Sequence, residues 1–166
     1  VVSDRKESIA EHCWSSFLLA DYFLQKEELS LDRQKIYDMI IYHDIVELEI
    51  GDIPIHHNDH GLTKKLLEDN ARPHVLNQLP SCLFAKVKQL LDELEESKAP
   101  EANFIHAVEK LDPLIQCLYD RELFIQHNYT VELIRKKKDH YMTQFPPINE
   151  MYTALLEYLV REGYIT

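Results

Sequence analysis

Glycine is the residue this chain does without. Three glycines among 166 residues make about 2% of the sequence, against a usual share of roughly 7%. Doubly wound sheets, barrels and phosphate-cradling loops draw on glycine wherever the backbone turns tightly or approaches closely. Neither a GxGxxG nor a GxxxxGKS pattern occurs. Apolar residues instead recur at helical spacing almost throughout. That pattern predicts an all-α fold, one compact bundle of six or seven helices over residues 1–166, with a chain of this length burying roughly two thirds of its unfolded surface.

The local signals place the helices. Ser8 with Glu11 three residues on reads as a capping box. It opens a helix to about Lys26 whose broad apolar stripe holds Trp14, Phe17, Leu18, Tyr22 and Leu24. Asp32 caps a second helix expected to run unbroken through His43 and Asp44 to Gly51, apolar all round at Met39 to Tyr42 and therefore buried. Residues 51–60, GDIPIHHNDH, read as a loop. A short helix is expected from Thr63 to about Ala71, stopped by Pro73. A long one follows Pro80 with its Glu-rich end facing water, and another starts at Pro100 and is bent or interrupted at Pro113. Thr130 caps the next, and Pro147 starts a last helix ending before Gly163. The basic run Arg135 to Lys138 reads as solvated turns near a helix C-terminus.

Lys and Arg total 18 against 29 Asp and Glu, a formal net charge of −11. Such a chain lacks the basic footprint that duplex nucleic acid requires. A small phosphorylated substrate stays open, since a bound metal inverts the field of a cleft. Cys13, Cys82 and Cys117 are far apart, odd in number and outside any CxxC pair, which reads as reduced thiols in a cytoplasmic protein. No apolar run approaches the roughly 20 residues of a membrane span. An acidic, apolar-rich helical domain of this size is expected to form a homodimer.

The chemistry centres on His43-Asp44, set among Ile40, Ile41, Ile45 and Val46. Burying two such polar groups is costly unless they have a partner, and a divalent cation is one. His12 on the first helix, Glu47 four residues after His43, and Asp112, with Glu109 one turn before it, extend the set. Two imidazoles and two carboxylates suit Mn, Co, Ni, Fe or Zn better than an oxygen-loving ion such as Mg. Lys64, Lys65 and Lys110 are candidates to offset phosphate charge, with Lys110 preferred for its nearness to Asp112. His56, His57 and His60 read as part of a polar lid, and His106, His127 and His140 as surface or helix-face residues.

The order His12 … His43-Asp44 … Asp112 resembles the H…HD…D signature of the HD-domain superfamily of metal-dependent phosphohydrolases. More narrowly, Arg5-x-Glu7-x-x-Ala10-Glu11-His12 and His43-Asp44-x-x-Glu47-x-x-x-Gly51-Asp52-x-Pro54 are similar to segments of its bacterial 5′-deoxynucleotidase group. The resemblance covers about residues 5–125. It implies one divalent ion held by His12, His43, Asp44 and Asp112, and removal of phosphate from deoxynucleoside 5′-monophosphates by a metal-activated water. Glu47 would steer or deprotonate that water, and Asp52 would lie near the sugar or act as a second carboxylate. Arg5 would sit at the pocket edge, gripping phosphate or holding the helix entry. The group's upstream Arg-Trp-Pro-like stretch has no counterpart from Val1 onward, so the reading is closer for the reaction than for the substrate. The competing readings are a dinuclear iron oxygenase on the same scaffold, a hydrolase of guanosine tetraphosphate or a cyclic nucleotide, and a non-enzymatic module keeping a structural ion.

Overall fold

The computed structural model describes residues 7–26, 29–51, 60–116, 118 and 129–166, and of residues 60–63 the backbone alone. Every regular element among them is helical: α1 Ile9–Lys26, α2 Arg33–Tyr42, α3 Glu47–Ile50, α4 His60–Gln78, α5 Ser81–Glu96, α6 Pro100–Gln116, α7 Val131–Met142 and α8 Pro146–Arg161. No described helix is long and apolar enough to cross a membrane.

The caps form as expected. The Ser8 N–H donates to Glu11 Oε2 at 3.0 Å, and the Glu11 N–H donates back to Ser8 Oγ at 3.3 Å. Asp32 Oδ1 accepts from the Lys35 N–H, and Thr130 Oγ1 from the Leu133 N–H, each at 3.1 Å. These side chains satisfy amides that the first turn leaves without intrahelical partners.

The expected long second helix is broken. After Tyr42 the chain tightens into a turn over His43–Val46, in which the Ile45 and Glu47 amides donate three residues back, to Tyr42 and Asp44, before α3 resumes at Glu47. Gly51 closes α3 at φ +74°, a left-handed conformation that a side chain disfavours. The apolar run before the turn is not buried all round either. Met39 and Ile40 enter the core, while Ile41 is 58% exposed because only one face of α2 meets α1, α5 and α6. On α1 the same holds: Ala20, Phe23 and Leu24 are buried, whereas Trp14 and Leu18 are 63% and 51% exposed.

Pro73 does not stop α4, which continues to Gln78. Ala71 before it and Leu76 after it both pack with Val46, Val87 and Leu91, so burial on either side of the proline outweighs the hydrogen bond it removes. Nor is the acidic end of α5 simply solvated. Arg72 of α4 reaches Asp92 at 2.7 Å and Glu95 at 2.9 Å, and Lys65 also pairs with Glu95. Glu93 takes Lys35 of α2 at 2.5 Å. The last helix begins at Pro146, one residue early. In the basic run, Arg135, Lys136 and Lys137 are exposed, but Lys138 Nζ donates to the Lys110 carbonyl at 2.6 Å and ties α7 to α6.

Helix α6 is the axis of the assembly, packed by α1, α2, α5, α7 and α8. Its Phe104, Ile105, Val108 and Leu111 join Phe23, Ile36, Met39, Ile40, Ile148, Tyr152 and Leu156 in the main core. The broken α2 yields a sharp contrast for urea denaturation. Ile40→Ala, at a side chain 1% exposed, should cost about 2–5 kcal/mol, and Ile41→Ala about 0.5 kcal/mol or less. Equal losses would contradict the packing.

Candidate metal centre

The turn that interrupts α2 carries His43 and Asp44 against the N-terminal part of α1. His43 Nε2 lies 3.1 Å from Asp44 Oδ2, and His12 Nε2 lies 3.5 Å from the same oxygen. The two imidazole centroids are 5.3 Å apart. Each ring is held by its other nitrogen. The carbonyl of Ile40, in the last turn of α2, accepts Nδ1–H of His43 at 2.8 Å. Asp112 Oδ2 stands 3.3 Å from His12 Nδ1. Such outer partners fix ring orientation and leave Nε2 to face a ligand.

A cation suits what remains. The His43 side chain is 4% exposed, and its buried Nε2 faces the Asp44 carboxylate without a well-formed hydrogen bond. Buried polar atoms are rarely left so. His12, His43 and Asp44 bring one donor atom each within 4.8 Å of one another, a mixed nitrogen and oxygen set that fits a divalent transition ion. The surrounding carboxylates also draw positive charge. Burial pushes the His43 imidazole down, yet Asp44, Cys13 and Glu109 outweigh it and raise its pKa to about 11. His12 is likewise raised, chiefly by Asp112.

A cavity of about 400 Å³ opens beside these groups, lined by His43, Asp44, Glu47, Lys64, Glu109 and Lys110 among others. That lies within the usual range for small-molecule pockets, roughly 300–1,000 Å³. Glu47 reaches the cavity although the turn intervenes, because α3 restarts at Glu47 itself. Lys64 Nζ donates to Glu47 Oε1 at 2.8 Å. Burial pushes the Lys64 ammonium down, but its bond to Glu47 outweighs that and holds it above the ordinary lysine value. Lys65 and Lys110 line the same cavity, so all three candidate lysines stand there and Lys64 is the one against Glu47.

Two of the three carboxylates of α6 come near the histidines, Asp112 at His12 and Glu109 at His43. Asp112 is buried, with Ser15 Oγ donating to Oδ1 at 2.5 Å and Gln116 Nε2 to Oδ2 at 2.7 Å. Glu109, one turn earlier, places Oε1 3.7 Å from His43 Nε2. Burial pushes the Glu109 carboxyl up, but His106, His43 and Lys110 bring its pKa to about 2.

Sequence reasoning missed several wall residues. His106, expected on the surface or a helix face, is partly buried in the cavity wall with Nδ1 3.4 Å from Glu109 Oε2 and Nε2 3.0 Å from the Leu94 carbonyl. Its spacing of three from Glu109, one helical turn, was the available signal. Arg72 and Tyr141 line the cavity through tertiary packing that no local pattern announces. Cys13, read as a reduced thiol, sits beside His43. Arg5, Asp52, His56, His57, Cys117 and His127 lie outside the described residues, as does the side chain of His60. His74 is exposed and pairs with Glu49 at 2.6 Å, and His140 is exposed.

Comparison with known proteins identifies the family and the fold. Residues 2–149 match the family model described as HD domain. The chain is 26% identical over 117 residues to 5′-deoxynucleotidase HDDC2 of Danio rerio, covering 70% of this chain and 57% of that protein. It is 27% identical over 124 residues to 5′-deoxynucleotidase hdd1 of Schizosaccharomyces pombe, covering 72% and 61%. The matched segment thus spans about three fifths of these relatives. A crystal structure from Magnetospirillum magnetotacticum MS-1, described as a predicted metal-dependent phosphohydrolase, superposes with a TM-score of 0.81 at 26% identity, covering 99% of this chain and 83% of that one.

If these side chains hold an ion, chelated protein should gain thermal stability when Mn or Co is restored. The gain is about 2.7 kcal/mol at a hundredfold excess over Kd. His43→Ala should abolish the shift in a melting experiment. An unchanged Tm in the wild-type protein would contradict the assignment.

Proposed function

Because this chain belongs to the HD domain family, we propose that it is a metal-dependent phosphomonoesterase that releases phosphate from nucleoside 5′-monophosphates, deoxynucleotides foremost. One observation carries the reading. Two imidazole Nε2 atoms converge on a single oxygen of Asp44, one of them buried and without a well-formed hydrogen bond, at the edge of a cavity lined by Lys64, Lys65 and Lys110. The substrate class comes from the relatives named 5′-deoxynucleotidase.

In this reading His12, His43 and Asp44 hold the ion with a carboxylate from α6 completing the set, Asp112 in the sequence reading. A divalent ion there would supply Lewis acidity toward a phosphoryl oxygen and lower the pKa of a water molecule. The protein supplies position and proton movement. Water oxygen bonds to phosphorus as the P–O5′ bond breaks; Glu47 takes the water's proton on a carboxylate oxygen and passes it to the 5′-oxygen, which leaves as the nucleoside hydroxyl. Lys64 anchors Glu47 at the cavity wall. Lys64, Lys65 and Lys110 offset the negative charge that phosphate brings into an acidic protein. Arg5 and Asp52 belong to the same proposal as phosphate and sugar contacts, and the enzyme works as a homodimer.

The test is phosphate release from a panel of nucleoside and deoxynucleoside 5′-monophosphates after chelation and metal restoration. Turnover should require added metal, and Glu47→Ala should lower kcat/KM by about 10²–10⁴-fold. His43→Ala should remove the metal dependence together with the activity, and sedimentation of the wild type should give a dimer. No release from protein that holds one ion would contradict the nucleotidase reading.

A further inference from the structure

Among the described residues, six carboxylates line the cavity beside the histidines, a wall that opposes the approach of a phosphate ester. Asp44 belongs to the ion site. Four of the others are matched by cations that keep their charge far above neutral pH. Lys64 Nζ lies 2.8 Å from Glu47 and 3.6 Å from Glu68. Lys65 pairs with Asp69 and Glu95, and Arg72 reaches Glu95 at 2.9 Å. Glu109 is matched differently. Lys110 acts on it through its field, and the cation placed to bond it is a histidine, His106, with Nδ1 3.4 Å from Oε2. His43 stands 3.7 Å from its other oxygen, but an imidazole that binds an ion is neutral, so a loaded site leaves Glu109 to His106.

The contacts of His106 define its charge. Nε2 stands 3.0 Å from the Leu94 carbonyl in the last turns of α5, and a carbonyl only accepts. Ser97 Oγ is also 3.0 Å from Nε2, yet its own proton goes to the Leu94 carbonyl at 2.9 Å, so it too accepts. Nδ1 faces the Glu109 carboxylate. With acceptors at both nitrogens the ring needs two protons, and a neutral imidazole has one. The carbonyl end of α5 favours the cation as well. From α7 the Tyr141 ring lies 5.9 Å away, and on α6 Lys110 opposes the charge. Burial also pushes the imidazole down, but Glu109 and the Leu94 carbonyl outweigh both and hold His106 above the ordinary histidine value.

Resting on the phosphomonoesterase reading above, we propose that His106 is the charge-compensating residue of the cavity: as an imidazolium it offsets Glu109 so that the phosphate dianion binds, and loss of its proton weakens substrate binding. It is a positioning residue, acting on the cavity through Glu109 rather than on the reacting atoms. Of the cations that match the cavity's carboxylates, it is the one whose charge can be lost in the neutral-to-alkaline range. Its charge is fully present below the ordinary histidine value and is lost as pH rises through the raised folded one. KM therefore rises with pH through His106, and kcat does not follow.

The test follows deoxyadenosine 5′-monophosphate hydrolysis across pH by metal-loaded wild type, His106→Gln and His106→Lys. Ratios between variants at one pH cancel the ionisation of the substrate and of Glu47. In acidic buffer His106→Gln should raise KM about tenfold, the scale of a unit charge at roughly 10 Å in a partly buried site, with kcat little changed. That difference should close in alkaline buffer, where the wild type loses the same charge, while His106→Lys keeps the low KM there. A KM ratio constant with pH, or a loss confined to kcat, would overturn the proposal. Should His106→Gln not fold, His106→Lys against wild type in alkaline buffer decides by the same ratio. The proton is also read without turnover: in zinc-loaded protein the His106 ring-proton NMR shift should titrate above 6.5, and titration at or below that value would overturn the proposal. A raised NMR titration in protein that holds one ion but hydrolyses no nucleotide would place the failure in the phosphomonoesterase reading, and the proposal would fall with it.

Discussion

Two imidazoles, one buried and one half-buried, converging on one carboxylate oxygen set the terms for the rest of this molecule. Histidines and aspartate so placed are costly in a protein interior unless positive charge sits among them. His12 comes from α1, His43 and Asp44 from the turn after α2, and the flanking carboxylates from α6. The three segments are held in register by the core around Phe23, Ile40, Phe104 and Leu111. The outer contacts continue that constraint: the Ile40 carbonyl on one ring, Asp112 on the other, Ser15 and Gln116 behind Asp112. Loosening any of them would move a donor atom rather than merely lower stability.

The wall opposite the histidines has a different logic. Helices α4 and α5 are fastened by Arg72 between Asp92 and Glu95, and α5 is fastened to α2 by Lys35 and Glu93. These pairs hold Asp92, Glu93 and Glu95 below the ordinary carboxylate range, through bonds to Lys88, Lys35 and Lys65 respectively before any other cause. Groups so depressed stabilise the fold above the unfolded carboxylate pKa, and lose that contribution as pH falls through their folded values. The cavity therefore lies between a charge-demanding centre and an acidic wall whose charges are largely matched. Lys64, against Glu47, brings positive charge to where the two meet.

Much of this was legible in the sequence because it is local. The caps at Ser8, Asp32 and Thr130 are written in three or four residues each, and hydrophobic spacing marks the helices they open. The grouping of His12 with His43-Asp44 was legible only through the resemblance of the whole motif, since no periodicity joins residues 30 apart. What escaped is what tertiary packing decides. Nothing between Tyr42 and Glu47 breaks helical spacing, so the turn that turns His43 and Asp44 toward α1 leaves no local trace. Pro73 carries the standard signal of a helix end, overruled by burial of Ala71 and Leu76 on either side. Glu109 and Asp112 are three residues apart and so about 60° apart around α6, too close for sequence to say which edge of the histidine pair each would meet.

The central claim is that these side chains form one ion site, and an anomalous-diffraction map from crystals grown with manganese addresses it most directly. The account predicts a single strong peak per chain in contact with His12 Nε2, His43 Nε2, an Asp44 oxygen and a carboxylate oxygen from α6. A peak elsewhere, or an empty map between the two imidazoles at saturating manganese, would contradict it.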